Sequence, residues 1–188
     1  DQALSNPPSD EFVTPLRFNE NGPPLGEVEI FTAIHDGAGA VRGYLVVGVD
    51  GGVFQRIARR RDGAAGPMSY AIVVDDAGIR MADASSDSNV FVPTAPIEAA
   101  TAARLRDERR LPPGELPKPM APPGLGAALA NRAPGADGAF GRPSPETGAV
   151  LGAHAPLRAA PWRAAFVQPQ FALYAPLNRE STVHIFAT

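Results

Sequence analysis

Residues 70–85 read YAIVVDDAGIRMADAS, and their pattern decides what kind of sheet this chain builds. Tyr70 to Val74 is a short apolar run rich in β-branched residues, and Ile79 to Ala84 is a second short run. Between them, Asp75-Asp76-Ala77-Gly78 supplies turn chemistry, because Asp bonds nearby backbone N–H groups and Gly accepts positive φ. Two runs joined so tightly predict an antiparallel hairpin. Downstream, Pro96 to Arg110 (PIEAATAARLRDERR) sets Pro in a first turn, Glu98 near the N-terminus and arginines at the C-terminus, which predicts a helix. Leu111 to Gly126 carries six prolines and cannot keep regular structure for long. A helical turn is expected over Ala127 to Asn131. The sheet then resumes at Gly138 to Arg142, Val150 to Leu157 and Trp162 to Gln168, with connections at Pro143 to Gly148 and Arg158 to Pro161. Phe171 to Leu177 is expected to begin a helix or an exit segment. The fold class is α+β: a five-stranded antiparallel sheet with flanking helices, most of them inserted after the second strand.

Upstream lies a second β-rich block. Glu27 to His35 (EVEIFTAIH) alternates, Val41 to Val49 (VRGYLVVGV) is rich in β-branched and aromatic residues, and Asp36 to Ala40 (DGAGA) is a Gly-bearing hairpin loop. Val53, Phe54, Ile57 and Ala58 recur at helical spacing, predicting a helix from Gly52 to Arg61 with Asp50 as its N-cap. Arg56, Arg59, Arg60 and Arg61 then read as its solvated C-terminal end, where cations suit the helix dipole. Phe12 to Phe18, broken by Pro15, reads as an edge strand, and Asn19 to Pro24 (NENGPP) as a turn. Residues 1–11 are polar and proline-bearing, expected to be ordered only by docking. Asp62 to Pro67 (DGAAGP) is a linker. The expected division is therefore 1–62, 63–170 and 171–188.

Composition narrows the function. Of 188 residues, 44% are hydrophobic and 20% charged, so a buried core can form. The 19 Gly and 21 Pro imply many turns and short elements. Net charge is −3, which leaves no electrostatic footprint for nucleic acid. All basic residues but Lys118 are arginine, the signature of a GC-rich bacterial gene. Cysteine is absent, which removes disulfides, thiolate metal sites and cysteine nucleophiles. No apolar run approaches the ~18 residues that span a bilayer. The opening Asp1-Gln2-Ala3-Leu4, without Met, leads to the expectation of a piece of a longer protein.

Three passages resemble the Cache family of PAS-like sensor domains. Residues 26–58 (GEVEIFTAIHDGAGAVRGYLVVGVDGGVFQRIA) resemble the end of one Cache lobe, with Gly43 to Asp50 leading into a helix. Residues 70–85 are similar to the opening of a second lobe, and residues 148–169 (GAVLGAHAPLRAAPWRAAFVQP) to its closing hairpin. The resemblance covers residues 12–170. It implies a double-Cache receptor domain: a five-stranded PAS-like lobe preceded by strands from a partial second lobe. A double Cache ordinarily opens with a long helix and two further strands, which this chain lacks before Phe12. The resemblance further implies a periplasmic location, a membrane-anchored parent and no cofactor. The expected parent is a sensor histidine kinase in a two-component system, with a chemoreceptor as alternative. Ser181 to Thr188 (STVHIFAT) is expected to approach a membrane helix.

Binding rather than catalysis is expected. His35, His154 and His184 lie near no G-x-S-x-G elbow. A metal site from His35, Asp36 and His154 needs three convergent ligands, for which their spacing is a weak signal. Asp75, Asp76 and Asp83 resemble loose calcium ligands, yet Asp75-Asp76 before Ala77-Gly78 is what a turn uses anyway. Gly124-Leu125-Gly126 follows a proline-rich loop rather than a strand and fails as a nucleotide fingerprint. Trp162 reads as core. The candidate ligand-binding residues are Tyr44, Tyr70, Arg80, His154 and Arg163, on strands that line the cup of a PAS-like fold, and Asp50, where amino-acid-binding relatives place an acid. An organic acid, amino acid or amine is the expected ligand, with a second copy of the chain as candidate partner. The rival expectation is a ligand-free structural or dimerisation module.

Overall fold

The computed structural model describes residues 10–122, 124–130, 137–142, 149–158 and 160–175. The expectations for the first nine residues, for the connection at 143–148 and for the chain beyond Ala175 lie outside them. Strands β1 (Glu11–Val13), β2 (Glu27–His35) and β3 (Val41–Asp50) form a three-stranded antiparallel sheet in that order. Helix α1 (Gly51–Arg59) follows, then the hairpin β4 (Tyr70–Val74) and β5 (Arg80–Asp83). Helices α2 (Ala99–Asp107) and α3 (Leu125–Ala130) come next, and β6 (Gly138–Arg142), β7 (Val150–Pro156) and β8 (Arg163–Pro169) complete the second sheet. Its order is β5-β4-β8-β7-β6, with every pairing antiparallel. The last strand thus inserts between the first hairpin and the β6–β7 pair. This is the PAS-like order.

Local chemistry explains the joints. Pro15 ends β1, and the Thr14 hydroxyl accepts from the Glu29 backbone at 2.9 Å. Asp36 shapes the β2–β3 loop, its Oδ1 accepting from Ala40 and Ala38 and its Oδ2 from Arg42. These bonds hold the Asp36 carboxyl below the usual range, the Ala40 N–H contributing most. Asp50 caps α1, with Oδ1 accepting from Gly52 N at 2.8 Å. The helix ends two residues before the expected Arg61.

Helix α1 lies over β4 and β5, where Ala58 meets Ala71, Ala82 and Ala84. Small side chains on both surfaces permit that approach. Gln55, buried, donates to the Asp83 carbonyl at 2.6 Å and accepts from the Asp83 N–H at 2.9 Å. One side chain therefore does for the β5 edge what a neighbouring strand would do. Leu16 and Val28 of the first sheet region join Met81, Phe91 and Trp162 in a single cluster, with Phe54 edge-on to Trp162 at 5.5 Å.

Two helix boundaries differ from the sequence reading. Helix α2 begins at Ala99 rather than at Pro96. The backbone at 91–94 bonds to Gly78 and Arg80, which keeps the chain extended as far as Pro93. Glu98 is still extended at ψ 149. Helix α3 begins at Leu125, two residues earlier than expected, and the Leu125 side chain is fully buried against the sheet.

Gly26 sits at φ +76, and a Cβ there would lie 2.5 Å from the Arg17 carbonyl oxygen and 2.6 Å from the Phe91 ring. Gly26→Ala combines left-handed backbone strain with overpacking. It should cost about 2–4 kcal/mol in urea unfolding, whereas Gly39→Ala, also at positive φ but with nothing within 4 Å, should cost only the backbone share.

Candidate functional site

Residues opposite one another in antiparallel strands share a face, so the register sorts the second sheet into two sides. Val74 stands opposite both Arg80 and Arg163; Ile72 stands opposite Asp83 and Ala165, and Ala165 opposite His154. Tyr70 stands opposite Val167. Tyr70, Arg80, Asp83, His154 and Arg163 therefore share the face that α3 covers, away from α1. The middle of this cup is apolar and packed: Ile72, Val74, Phe140, Val150, Ala165 and Val167 meet Leu125 and Leu129. Its polar groups gather on either side.

On the β5 side, Arg80 is 2% exposed and its Nη1 donates to Asp83 Oδ2 at 2.6 Å. Its Nε and Nη2 are buried and have no hydrogen-bond partner among the described residues. Asp83, by contrast, is saturated. Oδ2 also accepts from Asn89 Nδ2, Oδ1 takes the Ser85 N–H and hydroxyl, and the backbone is held by Gln55. The Asn89 amide oxygen is a second buried orphan among the described residues. Burial pushes the Tyr70 hydroxyl above its usual ionisation range, and the Asp83 charge adds to the effect.

On the β8 side, Arg163 Nη1 lies 3.2 Å from His154 Nδ1. A donating guanidinium there requires Nδ1 to be the acceptor, which fixes the proton of a neutral His154 on Nε2. The His154 ring is buried and stacks on Phe140. Arg163 also lines a cavity of about 170 Å³ between the Asp75–Gly78 turn, Thr94 and α3. That volume suits a small polar molecule better than a bulky one.

The structure thus brings four of the six sequence-selected residues, Tyr70, Arg80, His154 and Arg163, onto one face. Tyr44 and Asp50 lie in the other sheet: Tyr44 sits edge-on to Phe12 at 6.5 Å, and Asp50 caps α1. Asp75 is engaged by its own turn and by Arg110, which donates to Oδ2 at 2.7 Å. Burial raises the Asp75 carboxyl, with Arg110 opposing the shift. Sequence reasoning missed Asn89 and Gln55 and weighed Asp83 only as a loose calcium ligand. The pattern of a strand ending on Asp83 before Ser85 and Ser86 was the available signal, since such a carboxylate bonds forward to the next N–H groups.

No family model matches the chain, and neither does any curated protein. Solved structures do. The periplasmic domain of RsbU from Chlamydia trachomatis aligns at TM-score 0.61 and 15% identity, over 90% of this chain and 58% of that one. The sensor domain of the histidine kinase DctB from V. cholerae aligns at 0.59 and 15%, over 85% and 56%. The periplasmic sensory domain of the Campylobacter jejuni chemoreceptor Tlp1 aligns at 0.54 and 13%, over 89% and 52%. This chain spans little more than half the length of each. At such identities the likeness establishes the fold, and the fold is the PAS-like Cache fold seen in extracytoplasmic sensor domains. Among the described residues no helix is long and apolar enough to cross a membrane.

Two measurements probe this face. Asp83→Asn strips the buried Arg80 of its counter-charge and should cost about 3–5 kcal/mol in urea unfolding, while replacing both members by apolar residues should recover much of it. Tyr70, with a raised folded-state pKa, adds stability that is complete below the unfolded value near 10 and is lost as pH rises through the folded value. Spectrophotometric titration should show one of the three tyrosines ionising late, and Tyr70→Phe should remove that step.

Proposed function

We propose that this chain is the periplasmic ligand-sensing portion of a bacterial transmembrane receptor and that its cup takes a small carboxylate. The observation that carries the ligand class is Arg80: a buried guanidinium with one arm on Asp83 and two donors without acceptors among the described residues. Leaving buried donors unpaired costs about 1–3 kcal/mol, a cost that an entering oxyanion relieves. Arg163, beside the cavity at the other end of Val74, offers a second cation on the same face. Organic acids and amino acids carry the matching group.

In this reading residues 63–170 are the membrane-proximal lobe, residues 1–62 the tail of a distal lobe, and residues 171–188 the exit toward a membrane helix. The described part of the exit is helical over 170–175, directly after β8. A ligand touching Arg163 therefore acts at the start of the strand whose far end continues outward. It biases the receptor only through different affinities for two packings of that strand. The fragment binds and does not catalyse. The parent is a sensor histidine kinase, with a chemoreceptor as the alternative; the likeness to DctB and to Tlp1 supports both.

One observation favours a second reading. The centre of the cup is filled by Leu125 and Leu129, as a ligand-free structural or dimerisation module would have it. Thermal-shift measurements against organic acids, amino acids and amines separate the two. The sensor reading expects carboxylates alone to stabilise the chain, by about 2.7 kcal/mol at a hundredfold excess over Kd, with the share that arises in the cup lost in Arg163→Gln. No stabilisation by any class would support the structural module.

A further inference from the structure

The end of α2 carries four arginines whose circumstances differ sharply. Arg104 pairs with Glu108 at 2.6 Å, and Arg110 is held by Asp75 at 2.7 Å and by Asp76 and Glu108. Glu108, Asp75 and Asp76 are thereby engaged. Arg106 donates Nη2 to the Gly114 carbonyl at 2.9 Å, but its Nε is buried without a partner among the described residues. Arg109 forms no ion pair among the described residues and sits at φ +58, a left-handed conformation uncommon for a non-glycine residue.

These two arginines share one cleft. It has a volume of about 490 Å³, with Arg106 and Arg109 on one wall and Phe18, Asn19, Glu20 and Asn21 on the other. The facing wall is built, not loose. Phe18 N–H donates to the Arg109 carbonyl at 2.6 Å, Asn19 Oδ1 accepts from Asn21 N–H, and Phe18 packs edge-on against Phe91. The left-handed Arg109 backbone is thus tied directly to the facing wall. Glu20 is its one acidic lining residue, and Glu20 makes no ion pair among the described residues. Two guanidiniums lining a cleft that holds a single carboxylate leave it with net positive charge, which a bound oxyanion would offset while taking their forked donors.

We propose that this cleft is a second ligand site, separate from the cup, for a small dianionic oxyanion: a short dicarboxylate or a phosphate. Asn19 and Asn21 offer amide donors, and Phe18 and Leu111 offer an apolar wall for a few carbons. Because the 19–22 turn belongs to the N-terminal block and α2 to the C-terminal one, occupancy fastens the two together. The site is a place where a second chemical signal can set how firmly the blocks dock.

Isothermal titration calorimetry with malonate and, separately, inorganic phosphate tests this on the whole chain. Arg106→Gln combined with Arg109→Asn, the Asn chosen because it tolerates the left-handed backbone, should weaken binding at least about tenfold, the loss of a charge-assisted pair. Glu20→Gln should tighten it severalfold by removing a like charge. Arg163→Gln, which acts in the cup, should leave it unchanged. Binding that persists in Arg163→Gln supports the site; malonate alone then names a carboxylate, and phosphate alone a phosphate. Absence of binding by both, unchanged affinity in the double variant, or loss in Arg163→Gln alone would overturn it. Should the double variant fail to fold, Glu20→Gln decides: equal or weaker affinity there also overturns the proposal.

Discussion

Everything in the second sheet depends on one pairing, that of β4 with β8. It joins Tyr70 to Val167 and Val74 to Arg163, residues that the chain separates by the whole helical excursion. Closing so long a loop carries an entropic cost that grows only slowly with length, and the apolar contacts of Ile72, Val74, Ala165 and Val167 offset it. Because side chains alternate, this single register also sets which residues enter the cup. A slip of one residue would send Arg163 to the α1 side and bring Ala164 in. The cup chemistry is a by-product of that register.

The buried polar groups follow a consistent logic. Asp83 and Asp75 are each satisfied on several sides, one by Ser85, Asn89 and Arg80, the other by its turn and Arg110. Buried carboxylates in a native fold are expected to be so equipped. Arg80 and Arg106 break the pattern, since each keeps donors without acceptors among the described residues. An unmet donor inside a packed domain is where an exogenous acceptor gains most. The two arginines lie at different places, Arg80 in the cup and Arg106 beside the 19–22 turn, which is why the proposed cup and cleft sites are separate.

Much of this architecture was legible in the sequence because it is written in short-range patterns. The alternation of residues 27–35, the β-branched runs at 41–49 and 70–74, and the Asp-Gly punctuation of the turns mark strands that the structure contains. Asp50 before Gly51-Gly52 read as an N-cap and is one. The helix starts were less legible, since Pro96 and Glu98 carry start signals that the bonds of residues 91–94 to the β4–β5 hairpin override. Sharing of one face by Tyr70, Arg80, His154 and Arg163 follows from strand register, which composition hints at but does not state. Gln55 bonding the Asp83 backbone and Arg110 bonding Asp75 were invisible, because those pairs meet only once α1 and α2 dock. Nothing local marks a helix glutamine as the partner of a strand edge.

The central claim is that Arg80 is a ligand donor and not merely a buried structural cation. Its Nε–H can be observed directly by NMR of the arginine side chains, assigned through Arg80→Lys. During titration with a carboxylate that stabilises the chain, this signal should shift strongly and its exchange with water should slow as an acceptor arrives. An unmoved Arg80 Nε–H at saturation, with shifts confined to other arginines, would contradict the account.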